Sequence, residues 1–251
     1  PFTRDFHTEP LIHLVMGEKG IIFPRNYFAD MAINGSNVDL MYIEEHFDEA
    51  LTEASFRPFG PLLKYEELTG EHTFFEDDLF WSNDQNLKTA MQNYDSTFKK
   101  EKINFENINS DLWAKYLAVS FVFQCFHGNL NSNIRYYFHP LNKKFEPISF
   151  DNGCGQKLNS RPLGFLPIEG DIVYKMLRDK HFREALSEEL KWWQNDTKSN
   201  SLKKLIKEKE ALYRNLLSKD SPFLSKFQIS TNHLNFVQEW LTKFDLLEPQ
   251  T

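Results

Sequence analysis

Cysteine is nearly missing from this 251-residue chain: Cys125 and Cys154 are the only two. A disulfide scaffold needs several bridges, so that class is excluded, and the pair reads as two buried thiols or at most one bridge. Also missing is any apolar run near the roughly 20 residues that span a bilayer. The best run, from Tyr116 to Phe123, is far too short. Long basic runs are absent too. With 29 Lys+Arg against 36 Asp+Glu the net charge is −7, which excludes the cationic stripe of a general nucleic-acid binder. A nucleotide site survives that exclusion, because a bound metal ion can offset local acidity. No Gly-x-Ser-x-Gly, Walker-type loop or Cys-x-x-Cys occurs. His46, His72, His181 and His233 lack metal-ligand spacing, so no zinc site is expected. The chain begins at Pro1 without Met or a signal-like segment, which points to a piece of something longer and leaves the compartment open.

Aromatic residues are abundant instead. There are 24 Phe, 9 Tyr and 5 Trp, 15% of the chain, which implies a core filled by rings. Hydrophobic residues at 41% and charged residues at 26% are ordinary globular values and exclude wholesale disorder. The length suits one domain of two lobes or two small domains. Two glycosylation sequons, Asn34-Gly35-Ser36 and Asn195-Asp196-Thr197, carry little weight because so short a pattern arises by chance. There is no internal repeat.

Periodicity and turn signals order the elements. Residues 6–18 have apolar side chains at helical spacing, closed by Gly20. Asn34-Gly35 between two apolar runs, 27–33 and 38–44, predicts a β-hairpin, since both residues tolerate positive φ. A short helix over 47–54 is broken by Arg57-Pro58-Phe59-Gly60-Pro61, and 62–66 reads as a third strand. Residues 67–109 are polar and acidic, with a helix over 86–99. Asn109-Ser110-Asp111 offers an N-cap for an apolar helix over 112–126. A polar knot, 127–132, leads into a second hairpin, 134–138 and 145–150, followed by Asp151-Asn152-Gly153. Helices are expected over 172–178, 182–194, 202–218 and 234–246. The fold class is α+β: an N-terminal lobe with strands over 1–106, and a helical C-terminal lobe over 107–251 that carries the second hairpin.

The chemistry concentrates at the two ends of that second hairpin. Asn133 before it and Asp151 after it would reach one edge, offering an amide oxygen and a carboxylate, the hard oxygen donors Mg²⁺ prefers. Turn capping is the bland alternative. Gly35, in the first hairpin's turn, could let backbone N–H groups approach phosphate or could serve the turn alone. Lys64, mid-strand in an apolar setting, could neutralise phosphate or snorkel outward. Glu44 and Glu45 could pair with Lys64 or face solvent. His127 beside the Asn133 loop could accept a proton.

Several motifs in order resemble the spore-coat protein H (CotH) family. They are 32–36, 41–48 and 60–66 in the first half, then 113–120, the hairpin that starts at Asn133, and 147–151. The match runs from about Arg4 to Gly155 and loosely through the helical tail. The resemblance implies an atypical protein-kinase-like fold of two lobes and an Mg-ATP-dependent phosphotransferase acting on a protein. It also implies a spore-coat, secreted or cell-surface setting, and a first strand of the family lying before Arg4. By resemblance Asp151 and Asn133 would bind the metal and Lys64 would contact phosphate. One departure stands out: five residues before Asn133, where kinase-like sites carry an Asp, this chain has Gly128, flanked by His127 and Asn129. Either His127 serves as the base, or the base comes from elsewhere, or the chain is a pseudokinase that binds a protein partner.

Overall fold

A computed structural model describes residues 7–66, 71–75, 85–153, 172–218 and 231–247. Its centre is α4 (Ser110–Phe123), buried on every side from Leu112 to Phe123 except at Lys115. Asn109 caps it, its side chain accepting the Leu112 N–H at 3.4 Å. The helix ends three residues before the expected Phe126 because Gln124 adopts a left-handed conformation, φ 53°. That turn releases the chain into a 3₁₀ turn, His127–Asn129. Trp113, with no exposed surface, donates its indole N–H to the Phe145 carbonyl at 3.2 Å. A buried Trp or Phe removed from such a core costs about 3–5 kcal/mol.

The expected hairpins form. β1 (Asn26–Ile33) and β2 (Ser36–Glu44) pair antiparallel around Asn34 and Gly35, both at positive φ, as a separate two-stranded ribbon. One face of this ribbon rests on rings: Phe28 meets Tyr42 at 5.5 Å and Tyr213 at 5.7 Å. β5 (Arg135–Phe138) and β6 (Phe145–Ile148) form the second hairpin. Together with β3 (Leu62–Glu66) and β4 (Glu71–Phe74) they make a four-stranded sheet of order β4-β3-β5-β6. β4 lies in a stretch read as merely polar. The second hairpin is therefore joined to β3 through Leu62↔Tyr137 and Leu63↔Tyr136, and strands on both sides of residue 106 share one sheet.

The sheet's two faces differ. Leu63, Tyr136, Phe138 and Phe145 enter the main core with α4 and the helices. Leu62, Tyr137 and Ile148 turn the other way into a smaller cluster with Ile22, Phe47 and Leu51. The remaining helices are α1 (Thr8–Glu18), α2 (Glu49–Ala54), α3 (Gln85–Phe98), α5 (Ile172–Leu177), α6 (Lys180–Gln194), α7 (Asp196–Leu217) and α8 (Leu234–Leu247). α7 starts six residues ahead of the expected Leu202, because the Asn195 side chain caps it by accepting the Lys198 N–H at 3.1 Å. The architecture is α+β. Cys125 is a buried free thiol, whereas Cys154 lies outside the described residues. No helix among the described residues is long and apolar enough to cross a membrane.

Candidate functional site

The register of the second hairpin, with Arg135 opposite Ile148, sets its two flanking loops side by side. Asn133 and Asp151 meet there on one imidazole. His127 Nδ1 lies 3.2 Å from Asp151 Oδ2 and 3.1 Å from the Asp151 carbonyl. Asn133 Nδ2 donates to the His127 carbonyl at 3.0 Å and stands 3.0 Å from the same Nδ1. With Nδ2 held on that carbonyl, the amide's oxygen is turned the other way. The two side chains proposed from sequence thus share one edge, with His127 between them and the Asn133 amide nitrogen facing it.

Backbone geometry explains the Asp-x-Gly. Asp151 and Gly153 are both left-handed, φ 44° and 51°. A Cβ on residue 153 would come within 2.6 Å of the His127 Cβ, so only glycine closes this turn over the imidazole. The same crowding accounts for Gly128. A Cβ there would lie 2.8 Å from the Phe150 carbonyl oxygen and 3.0 Å from the Tyr116 hydroxyl. That hydroxyl donates to the Gly128 carbonyl at 3.0 Å, and the His127 N–H donates to the Asn152 carbonyl at 3.0 Å. The position five residues before Asn133 has no room for a carboxylate.

Beneath this turn runs a buried polar network that sequence reasoning missed. Asn152 is fully buried. Its backbone N–H and side-chain Nδ2 donate to Glu9 Oε1 at 3.1 and 3.3 Å, and Nδ2 also donates to Ser149 Oγ at 3.0 Å. His13, also fully buried, stands with Nδ1 at 2.9 Å from Ser149 Oγ. Its Nε2 lies 3.2 Å from Glu9 and 3.6 Å from Glu44. Burial pulls the His13 pKa down, but the Glu44 and Glu9 carboxylates beside the ring outweigh it and raise the value above the ordinary 6.5. Glu9 and His13 sit one helical turn apart on α1, an i,i+4 signal hidden inside an otherwise apolar helix.

Other expected pairings fall differently. Glu44 meets His13 and accepts from the Tyr42 hydroxyl at 3.2 Å. Glu45 takes the Arg25 guanidinium. Neither carboxylate pairs with Lys64, whose Nζ lies over the Phe75 ring at 5.2 Å from its centroid. Gly35 stands at the outer tip of the first ribbon, where an added Cβ would meet nothing within 4 Å. The eight-residue β1 separates that tip from the ribbon's base beside His13, a strand length of roughly 26 Å. Gly35 is not part of the Asp151 cluster.

The remaining histidines are dispersed. His72 meets the Tyr94 hydroxyl at 2.7 Å and His233 the Phe121 carbonyl at 2.7 Å, while His46 packs edge-on to Phe75. Among the described residues no group of three His, Cys, Asp or Glu side chains converges as a metal cage. A groove of about 690 Å³ by α6 and α8 and another of about 410 Å³ by Lys19 and Trp192 share no residue with the Asp151 cluster. No known family model matches the chain, and no curated protein matches it.

Proposed function

We propose that this chain is a kinase-like protein of the spore-coat protein H type, binding Mg-ATP at the Asp151–Asn133 edge and passing phosphate to a protein acceptor. The observation that carries the reading is the meeting of Asn133 and Asp151 on His127. A carboxylate and an amide oxygen drawn from these two loops would suit Mg²⁺, which usually keeps several waters and phosphate oxygens and takes only one or two protein ligands. Asp151 and the Asn133 amide oxygen would hold the ion, which when bound supplies positive charge to the phosphates. Lys64 would contact a phosphate oxygen. His127, whose Nδ1 faces Asp151, would be the base that takes a proton from an acceptor hydroxyl. The fixed amide and the glycine turn supply positioning, on which phosphoryl transfer depends heavily.

Calorimetric titration with Mg-ATP tests the site. Wild type binds, and Asp151→Ala weakens binding at least tenfold. Equal binding by both removes Asp151 from the site.

A second reading, nucleotide or partner binding without transfer, is favoured by one observation: the crowding at Gly128 bars the carboxylate that kinase-like sites use to orient the hydroxyl. Transfer of radiolabel from γ-labelled ATP, compared with an Asp151→Ala control, separates the two. Signal at the control level leaves the pseudokinase reading.

A further inference from the structure

Three segments meet at the His13 imidazole. α1 supplies the ring and Glu9, β2 ends at Glu44, and the chain leaving β6 supplies Ser149 and Asn152. Their contacts close a loop. His13 Nε2 lies 3.2 Å from Glu9 Oε1, which accepts the Asn152 backbone N–H and Nδ2 at 3.1 and 3.3 Å. Asn152 Nδ2 also donates to Ser149 Oγ at 3.0 Å, and Ser149 Oγ stands 2.9 Å from His13 Nδ1. None of these four residues is more than 1% exposed, so solvent screens little of their charge. Asp151 directly precedes Asn152 and has left-handed backbone, φ 44°, a strained conformation that its surroundings must hold. The paired N–H bonds from Asn152 to Glu9 are part of that hold.

The two sides of the ring respond differently to its proton. On the Nδ1 side, the Ser149 hydroxyl can accept from a charged ring or turn its own O–H toward a neutral one, accepting from Asn152 in both cases. On the Nε2 side stand two carboxylates, Glu9 at 3.2 Å and Glu44 at 3.6 Å, so their oxygens lie within about 7 Å of each other. An imidazolium between them offsets their repulsion, and a neutral ring does not. Other charged groups around α1 act away from the ring. Glu210 and Arg214 of α7 act on His7 at the helix start, Glu189 of α6 meets Lys19 past its end, and Glu45 takes Arg25. α4 brings the Tyr116 hydroxyl toward Glu9, and burial keeps that phenol protonated.

We propose that the His13 proton regulates the Asp151 site: when present it holds Glu9 and Glu44 together and keeps Glu9 clamped on Asn152, and when lost it lets the carboxylates part and the Asp151 turn loosen. Glu9 and His13 are then positioning residues, acting on Asp151 through Asn152. The ring is charged more readily than an ordinary histidine, so the turn is held at neutral pH and released on the alkaline side. The effect on Mg-ATP rests on the function proposed above. The link between His13 and the turn does not.

An NMR titration of the nitrogen-15-labelled chain without nucleotide, from about pH 6 to about pH 9.5, reads the link directly. The His13 ring and the Asn152 amide move together, with one midpoint above 6.5. Glu44→Gln, which leaves a single carboxylate at the ring, lowers that midpoint and shrinks the Asn152 step. His13→Gln abolishes the step, and the Glu44 variant serves alone if His13→Gln fails to fold. His127→Gln, which removes the imidazole beside Asp151, keeps it. An Asn152 amide that stays still at the His13 midpoint, or a step that survives in His13→Gln, overturns the proposal. By calorimetry, Mg-ATP affinity falls at least threefold from about pH 7 to about pH 9.5 in wild type, and less in Glu44→Gln. An equal fall in both, with no shared NMR step, overturns the proton link and leaves the nucleotide reading intact. A shared step without Mg-ATP binding at either pH keeps the link and overturns the nucleotide reading.

Discussion

Replacing Glu9 by Gln tests whether the buried network is held by charge. Glu9 Oε1 receives the Asn152 N–H at 3.1 Å and lies 3.2 Å from His13 Nε2. Gln keeps the volume and an oxygen able to accept from Asn152, so the substitution removes mainly the ionic contact with His13. Breaking a buried pair by deleting one partner costs about 3–5 kcal/mol. Glu44 still faces the ring at 3.6 Å, so a smaller loss of about 2–3 kcal/mol is expected, at or below the bottom of that range. The pH dependence follows from the direction of the His13 shift. A histidine whose folded pKa lies above its ordinary 6.5 contributes stability that is complete below 6.5 and is lost as pH rises through the folded value. The Glu9→Gln penalty is therefore larger at about pH 6 than at about pH 9, since rising pH above 6.5 moves the ring toward its neutral form. Urea unfolding of wild type and variant at both pH values measures it. An equal penalty at the two pH values, or none at pH 6, refutes the ionic account of this network.

Further consequences are as direct. Gly128→Ala lowers stability by about 1–3 kcal/mol through overpacking against Phe150 and Tyr116. Thermal melts of Gly128→Asp show at least the same loss with no gain in phosphate transfer, and an unchanged melting temperature would count against the crowding argument. His72 titrates in the sense opposite to His13: burial, then the Arg135 charge, lowers its pKa from 6.5 to about 4. Wild type should lose stability as pH falls from 6.5 toward 4, by about 3 kcal/mol at the limit. His72→Gln should flatten that part of the acid curve, and an identical acid curve contradicts the assignment. Gly35→Ala, at φ 79°, costs about 1 kcal/mol and leaves Mg-ATP affinity unchanged. A lost affinity would bring the ribbon tip back into the site.

Local chemistry was legible in the chain. Asn34-Gly35 fixed its turn, Asn109 its cap, and the Asn133 and Asp151 loops met as their common hairpin requires. What stayed hidden depends on partners distant in sequence. The second hairpin joins β3 through Leu62↔Tyr137 and Leu63↔Tyr136, and no periodicity within either strand announces that pairing. Glu44 could have paired with Lys64 or faced solvent, yet it meets His13 on α1. β4 was concealed for a different reason: Glu71, Thr73 and their neighbours make a polar edge strand without the apolar alternation that signals one. α7 began early because Asn195 outbid a plain apolar criterion for the helix start.

The central claim is that Asp151 and Asn133 share one divalent cation. Mn²⁺ substitutes for Mg²⁺ and is visible to electron paramagnetic resonance, so titrating the protein with Mn²⁺ and a non-hydrolysable ATP analogue counts bound ions directly. A single bound equivalent in wild type, weakened at least tenfold in both Asp151→Asn and Asn133→Ala, is the expected result. Uptake that is the same in wild type and both variants, or absent from wild type, contradicts the account.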